Sequence, residues 1–246
     1  AMENKYDFIA TGHYAQIKKI KSRYALLKGQ DSNKDQSYFL HSIDESILPN
    51  IIFPLGAIDK QEVREIARAN NLITSNKKDS TGICFIGERP FPEFLSNFIP
   101  SKEGKIIDES NRNIGIHKGL AFYTLGQRKG LGIGGVKNAT ESPWYVAEKN
   151  LVSNTLKVVQ GNNNPMLMSN AIDVLNLSTH YEIPKDFRCN IKLRYRQEDQ
   201  KCKVIEQKGS HHIIFEEPQR SVTPGQSAVL YRGEECLGGG EIDTVY

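Results

Sequence analysis

The chain has 246 residues, 38% of them hydrophobic and 25% charged, with 20 glycines and 10 prolines. That length accommodates two or three domains of roughly 100 residues, and the composition excludes a disordered tail, a collagen-like fibre and a low-complexity linker. A net charge of +3 is too small to identify a nucleic-acid partner by itself. No apolar run approaches a membrane span, and the N-terminus has no apolar stretch following a basic one, so a soluble, cytoplasmic protein is expected.

In chain order, residues 6–11 read as a short buried strand ending in Gly12-His13. Residues 24–27 read as a second strand leading into a polar stretch from Gly29 to Gln36. Asp59 opens a helix: Asp59 and Glu62 have the spacing of a capping box, Val63, Ile66 and Ala67 form an apolar stripe, and Asn70-Asn71 ends it. Phe91, Phe94, Leu95 and Phe98 predict a second helix whose phenylalanines face a core. Beyond Pro100 the pattern changes to short β segments punctuated by glycine. Residues 144–147 and 155–159 predict a hairpin around 150–154, and Gly161-Asn162-Asn163-Asn164-Pro165 predicts a linker. From Phe187 to Arg196 the chain alternates: Phe187, Cys189, Ile191, Leu193 and Tyr195 on one face, Arg188, Asn190, Lys192, Arg194 and Arg196 on the other. Further strands near 202–206, 212–215, 227–231 and 237–245 predict a small antiparallel barrel of about 80 residues. The architecture is an incomplete α/β unit, a small β-rich unit and a barrel. The first unit has too few strands and helices for a full doubly wound sheet.

Gly130-Leu131-Gly132-Ile133-Gly134-Gly135 spells G-x-G-x-x-G, yet no strand pattern precedes it and no helical stripe follows, so it reads as a turn and not as a dinucleotide loop. No phosphate-binding P-loop pattern occurs. The four cysteines form no C-x-x-C pair, which argues against a zinc site; Cys189, Cys202 and Cys236 fall in strand-like segments as small buried residues. Cys84 lies in a polar, glycine-bounded segment with Lys77 and Lys78 nearby. It is either a thiolate favoured by those cations or filler between Ile83 and Phe85. Gly12-His13 stands at the carboxyl end of a predicted strand, where α/β sheets receive ligands and where Gly12 admits close approach. Lys34-Asp35-Gln36-Ser37-Tyr38 is either a solvated loop or a set of side chains suited to a phosphate and a base edge. The basic residues between 185 and 208 are either a solvated strand face or a partner surface.

Several segments together carry a resemblance. Ala10-Thr11-Gly12-His13-Tyr14-Ala15, Lys34-Asp35-Gln36-Ser37-Tyr38-Phe39-Leu40, Asp79-Ser80-Thr81-Gly82-Ile83-Cys84-Phe85-Ile86-Gly87 and Gly126-Gln127-Arg128-Lys129-Gly130-Leu131-Gly132 resemble, in family order, the bacterial tRNA-specific 2-thiouridylases. So do Arg194-Tyr195-Arg196-Gln197, Val222-Thr223-Pro224-Gly225-Gln226-Ser227-Ala228-Val229 and Cys236-Leu237-Gly238-Gly239-Gly240. The resemblance implies an α/β remnant of an adenine-nucleotide α-hydrolase-like (PP-loop) domain over 1–89, a central β-rich domain over 90–164, and a C-terminal antiparallel β-barrel over 165–246 that binds tRNA.

It also implies a sulfurtransferase that thiolates the wobble uridine, position 34, of the tRNAs for Lys, Glu and Gln. ATP, with Mg, adenylates the 2-carbonyl, and a cysteine persulfide supplies sulfur. By that resemblance Cys84 carries the persulfide, Gly12 contacts ATP, and His13, Lys34, Asp35, Gln36, Arg194, Tyr195 and Gln226 contact tRNA. The sulfur donor is a sulfur-relay protein or a cysteine desulfurase; DNA, a membrane and a metal site of the chain's own are not expected. Arg194, on the polar face, suits a phosphate; Tyr195 falls on the apolar face unless a bulge or strand end re-aims it. The family's S-G-G-x-D-S phosphate loop and its first catalytic cysteine, in an N-P-D-x-x-C context, do not occur in these residues. The expectation is a chain lacking the first half of the catalytic domain, holding most of the ATP site elsewhere and inactive in adenylation by itself. The alternative is a non-catalytic module that binds tRNA or carries sulfur.

Overall fold

The computed structural model describes residues 6–76, 94, 96–99, 101–134, 140–207 and 209–246; Cys84, Phe91 and Leu95 lie outside them. The strands and helices in chain order are β1 (Ile9–Ala10), β2 (Ala15–Ile20), β3 (Arg23–Lys28), α1 (Ser37–Leu40), β4 (Ile51–Ile52), α2 (Lys60–Ala69), β5 (Gly104–Ile107), β6 (Asn113–His117), β7 (Trp144–Asn150), β8 (Thr155–Gln160), β9 (Met168–Thr179), β10 (Asp186–Lys192), β11 (Gln200–Gln207), β12 (Ser210–Arg220), β13 (Ser227–Arg232) and β14 (Glu235–Val245). They divide into two compact units. One comprises Ala1–Lys77, Asn170–Glu217 and Pro224–Tyr246; the other comprises Lys78–Ser169 and Pro218–Thr223.

The six C-terminal strands form an antiparallel barrel in the order β13-β10-β11-β12-β9-β14, closed by pairing of β13 with β14. Closure leaves no free edge, and alternate side chains such as Ile191, Val204, Ile213, Leu230 and Ile242 point inward with at most 1% of their surface exposed. β14 must pair with β13, with β9 and, through Glu235 and Cys236, with β3. Gly238 makes that possible. It sits at φ +127°, and a Cβ there would lie 2.1 Å from the Ser178 carbonyl oxygen, so only glycine fits the irregular, bulged strand.

The β2–β3 hairpin extends this sheet beyond β14. Sequence reading found β3 but neither β2 nor β9: lysines interrupt the apolar residues of β2, and the alternation of β9 is broken where its register with β14 shifts. Ala15, Leu26, Leu40 and Leu48 from the first segment of the chain share one core with Val229, Tyr231 and Cys236 from the barrel. Leu26 and Leu48 are fully buried, and each such leucine contributes about 1.5–3 kcal/mol.

Three sequence expectations change here. β1 pairs in parallel with β4 in a two-stranded sheet but is not buried: Phe8 is 58% and Ile9 45% exposed, because among the described residues no layer covers it. α2 forms as expected, with Asp59 at its N-cap and Asn71 in the left-handed region after it, yet the Asp59 side chain makes no capping bond. Asp31 Oδ2 accepts from the Lys60 backbone N–H at 3.1 Å instead, so the helix start is held by the loop that precedes α1. The apolar stripe of α2 is likewise uncovered, with none of its residues buried. Phe98 is 71% exposed rather than core, its ring 5.0 Å from Phe94 one turn away.

The second unit is built on a four-stranded sheet in the order β6-β5-β8-β7, with β5 and β8 parallel and the other pairs antiparallel. The predicted hairpin is present as β7 and β8, and Ile106, Val146, Leu156 and Val158 are fully buried beneath it. The glycine-rich segment is a turn: Gly130 adopts φ +76°, Leu131 anchors it in the core, and the Gln127 amide ties the turn together through Thr124 N–H and the Lys129 carbonyl. Among the described residues, no helix is long and apolar enough to cross a membrane.

Candidate functional site

The polar loop 29–36 is closed by a buried carboxylate. Asp35 is 5% exposed; its Oδ1 accepts from the backbone N–H groups of Gly29 at 3.1 Å and Ser37 at 3.0 Å, and its Oδ2 accepts from Ser37 Oγ at 3.0 Å. Gln36 zips the end of the loop to the start of β2: its N–H donates to the Tyr14 carbonyl, and its Oε1 accepts from Tyr14 N–H at 3.0 Å. The oxygen of Gln36 is therefore occupied within the fold.

The alternating basic strand does not continue to Arg196. β10 ends at Lys192, and residues 193–197 fold into a turn, because Gln197 N–H donates to the Arg194 carbonyl and Gln197 Oε1 accepts from Leu193 N–H at 2.8 Å. The strand end re-aims Tyr195. Arg194 and Arg196 are exposed, while Tyr195 turns back toward loop 29–36, its hydroxyl donating to the Lys34 carbonyl at 3.4 Å. The body of the strand is the solvated face that composition alone indicates, with exposed cross-strand pairs Arg188–Glu216 and Lys203–Asp186.

Lys192 departs from both expectations for the basic stretch. It is 9% exposed, with its Nζ 3.5 Å from Asp35 Oδ2 and 3.8 Å from Asp199 Oδ1. Lys28 completes the network at 2.7 Å from Asp199. Both ammonium groups lie over the ring of Tyr231, at 4.8 Å for Lys28 and 5.2 Å for Lys192. Burial pushes the Tyr231 phenol far above its ordinary range, so it stays neutral, and its hydroxyl meets Ser37 Oγ at 3.1 Å. Two lysines and two aspartates thus neutralise one another between the loop and the barrel. Above them lies a cavity of about 560 Å³ lined by residues of loop 28–35 and of the turn 195–199.

This network brings together most of the residues singled out from sequence. Tyr38 Oη donates to the Ser227 carbonyl at 2.9 Å, which sets half-buried Gln226 beside α1. Burial raises the Tyr38 phenol and the nearby Arg194 charge partly offsets that rise, placing the two side chains in each other's field. Lys34, Gln36, Arg194, Tyr195 and Gln226 therefore surround one short helix. Asp35 is at the same place but internal. Its carboxylate is committed to holding the loop.

His13 adjoins this cluster through Tyr14; its Nδ1 is 2.6 Å from Thr11 Oγ1 and its ring meets Phe53 edge-on. Gly12 is exposed beyond the carboxyl end of β1, and the nearest atom to a Cβ placed there would be Leu55 Cδ1 at 3.7 Å, so the backbone is open to an approaching group. Cys84 is outside the described residues. Of the other thiols, Cys236 is fully buried and pushed up to about 12, mainly by burial. Cys202 is raised by its hydrogen bond to Cys189, whose sulfur is 3.6 Å away, and by burial. Both stay protonated near neutrality and make poor nucleophiles. Sequence reasoning missed Lys28, Asp199, Tyr231 and the inward turn of Lys192, since no local pattern distinguishes a buried lysine from its exposed neighbours.

Comparison with known proteins follows the same order along the chain. A family described as tRNA methyl transferase HUP domain matches residues 1–88, tRNA methyl transferase PRC-barrel domain matches 92–160, and aminomethyltransferase beta-barrel domain matches 169–242. The chain is 53% identical over 240 residues to the tRNA-specific 2-thiouridylase MnmA of Francisella philomiragia, covering 96% of this chain and 67% of that protein. It is 52% identical, with the same coverage, to the protein of that name from Francisella tularensis subsp. novicida.

If the Lys192 ammonium is the buried bridge between loop and barrel, Lys192→Met lowers unfolding stability by about 3 kcal/mol, because two aspartates lose their shared partner. Adding Asp35→Asn recovers part of that loss by removing the orphaned charge. Urea denaturation followed by circular dichroism measures both. A loss of less than about 0.5 kcal/mol for Lys192→Met, typical of an exposed pair, contradicts the assignment.

Proposed function

We propose, for a chain that belongs to the tRNA-specific 2-thiouridylase family, that the surface around α1 receives the anticodon loop of tRNA and that Cys84 carries the sulfur delivered to it. The family's activity is 2-thiouridylation of tRNA, a sulfur transfer. The finer reading is that the target is the wobble uridine of the tRNAs for Lys, Glu and Gln. Its 2-carbonyl oxygen is a poor leaving group, and attachment of AMP from ATP turns it into a good one. The outer sulfur of a cysteine persulfide then attacks C2 and AMP leaves; a second cysteine thiol cleaves the remaining S–S bond, ending as a disulfide with Cys84 and freeing the 2-thiouridine. A sulfur-relay protein or a cysteine desulfurase supplies that sulfur.

The observation that carries the tRNA reading is the buried Asp35–Lys192 contact, which sets two polar segments distant in sequence side by side. Arg194, exposed at a strand end, and Lys34 suit phosphate oxygens, which fix register without reading sequence. The Gln36 amide NH2 and Gln226 suit the edges of unpaired bases, which is where RNA sequence is read. His13 adjoins them through Tyr14. Asp35 acts from within by holding Lys34 and Gln36 in place. Gly12 fits the approach of ATP, since its backbone at the end of a parallel strand is uncrowded. These 246 residues contain no S-G-G-x-D-S phosphate loop, so the chain by itself binds tRNA and accepts sulfur but does not adenylate uridine.

Binding of a tRNA for Lys by the 246-residue chain is expected to fall linearly on a log–log plot against salt, and Arg194→Ala to reduce the slope by about one. A flat salt dependence contradicts the tRNA reading. Incubated with a sulfur-loaded cysteine desulfurase, ATP and tRNA, the chain is expected to show a persulfide on Cys84 by mass spectrometry and no thiolated uridine. Labelling at Cys189, Cys202 or Cys236 in place of Cys84 contradicts the sulfur assignment, and thiolated tRNA contradicts the claim that adenylation is missing.

A further inference from the structure

α1 buries three of its four residues, Ser37, Tyr38 and Leu40, and leaves Phe39 56% exposed. The ring of Phe39 is not isolated. It lies 4.5 Å, centroid to centroid, from Tyr195 at a tilt of 39°, and meets Tyr38 nearly edge-on at 5.4 Å. Tyr195 is in turn held by its hydroxyl to the Lys34 carbonyl and carries the Arg196 guanidinium 5.9 Å from its ring centre. The Phe39 ring is therefore in contact with an ordered aromatic neighbour while more than half of the residue stays exposed, and the exposed arginines of the turn adjoin its two ring neighbours, Arg196 at Tyr195 and Arg194 in the field of Tyr38.

An exposed aromatic ring with cations beside it is matched by a ligand that is both flat and polyanionic. An apolar peptide complements the ring but not the positive charge of the exposed Arg194–Arg196 turn, and a duplex complements the charge but keeps its base faces stacked internally. A single-stranded nucleotide offers a π-face and a phosphate together. We propose that Phe39 is a stacking platform for one unpaired nucleotide of the bound tRNA, with the Arg194–Arg196 turn gripping the backbone next to it. The inference rests on the tRNA reading above and adds to it a residue that recognises a base face, not a phosphate or a base edge. Stacking tolerates any base, so Phe39 positions the loop while the polar side chains around it read identity.

The test is a substitution series at Phe39 in the full chain, read as affinity for an anticodon stem–loop RNA across a range of salt. Phe39→Ala is expected to weaken binding roughly 5- to 150-fold with the salt slope unchanged, because no phosphate contact is lost. Phe39→Trp is expected to bind at least as well as the parent, and Phe39→Leu about as weakly as Phe39→Ala, since leucine keeps apolar bulk without a π-face. Abasic substitution at one loop position is expected to abolish the Phe39→Ala penalty, identifying the stacked nucleotide. Recovery by Phe39→Leu points to general apolar packing, for instance against a protein, and overturns the proposal. So does parent-like binding by Phe39→Ala, or a penalty that survives every abasic substitution. If the parent chain binds no RNA, the tRNA reading fails and this inference with it; if the parent binds with steep salt dependence while the Phe39 series is flat, the inference alone fails.

Discussion

Lys192 sits 9% exposed between the carboxylates of Asp35 and Asp199, with Lys28 on the far side of Asp199 and the Tyr231 ring beneath both lysines. Removing charges from water is expensive, and such a set is tolerated only when every member is paired. The partners come from the first 35 residues and from the barrel, including its β10–β11 connection, more than 150 residues later, so the arrangement exists only when the β2–β3 hairpin, the 29–36 loop and the barrel assemble in one register. The network's main consequence is geometric. It aligns two surface segments whose own sequences do not specify their relation.

The segments it aligns are both ends of regular elements, not free loops. The 29–36 loop is closed by Asp35, ties the start of α2 through Asp31, and leads into α1; the 193–197 turn caps β10 and is closed by the Gln197 side chain. The side chains of Lys34, Gln36, Arg194 and Tyr195 thus project from anchored backbone, and a surface built on such backbone loses less ordering entropy on binding than a free loop. The same economy explains why Asp35 lies within a motif otherwise suited to tRNA contact: the loop cannot present its neighbours unless one of its members faces inward.

Much of this was legible in the sequence, and the failures have specific physical causes. The barrel strands were visible because antiparallel strands with one buried face alternate with period two. β2 and β9 were not, because lysines in one and a register shift in the other break that period. The α2 stripe was read correctly as a helix face, but nothing in a local pattern reveals that its partner surface is absent from the described residues, or that Asp31 and not Asp59 caps it. Motifs singled out Lys34, Gln36, Arg194, Tyr195 and Gln226 but not their convergence, since it depends on Lys192, which alternation places on a solvated face and which tertiary structure buries. The identity and order of the matched families agree with the motif reading across the chain, while individual residue roles are a matter for chemistry at the site.

The central claim is that a buried ion network makes the 34–40, 193–197 and 225–227 segments a single tRNA-binding surface. Hydrogen–deuterium exchange with and without a tRNA for Lys tests it most directly. The account predicts that all three segments gain protection together on adding tRNA, and that Lys192→Met uncouples them, leaving protection weakened in each. Protection confined to one segment, or found only between residues 101 and 160, would contradict it.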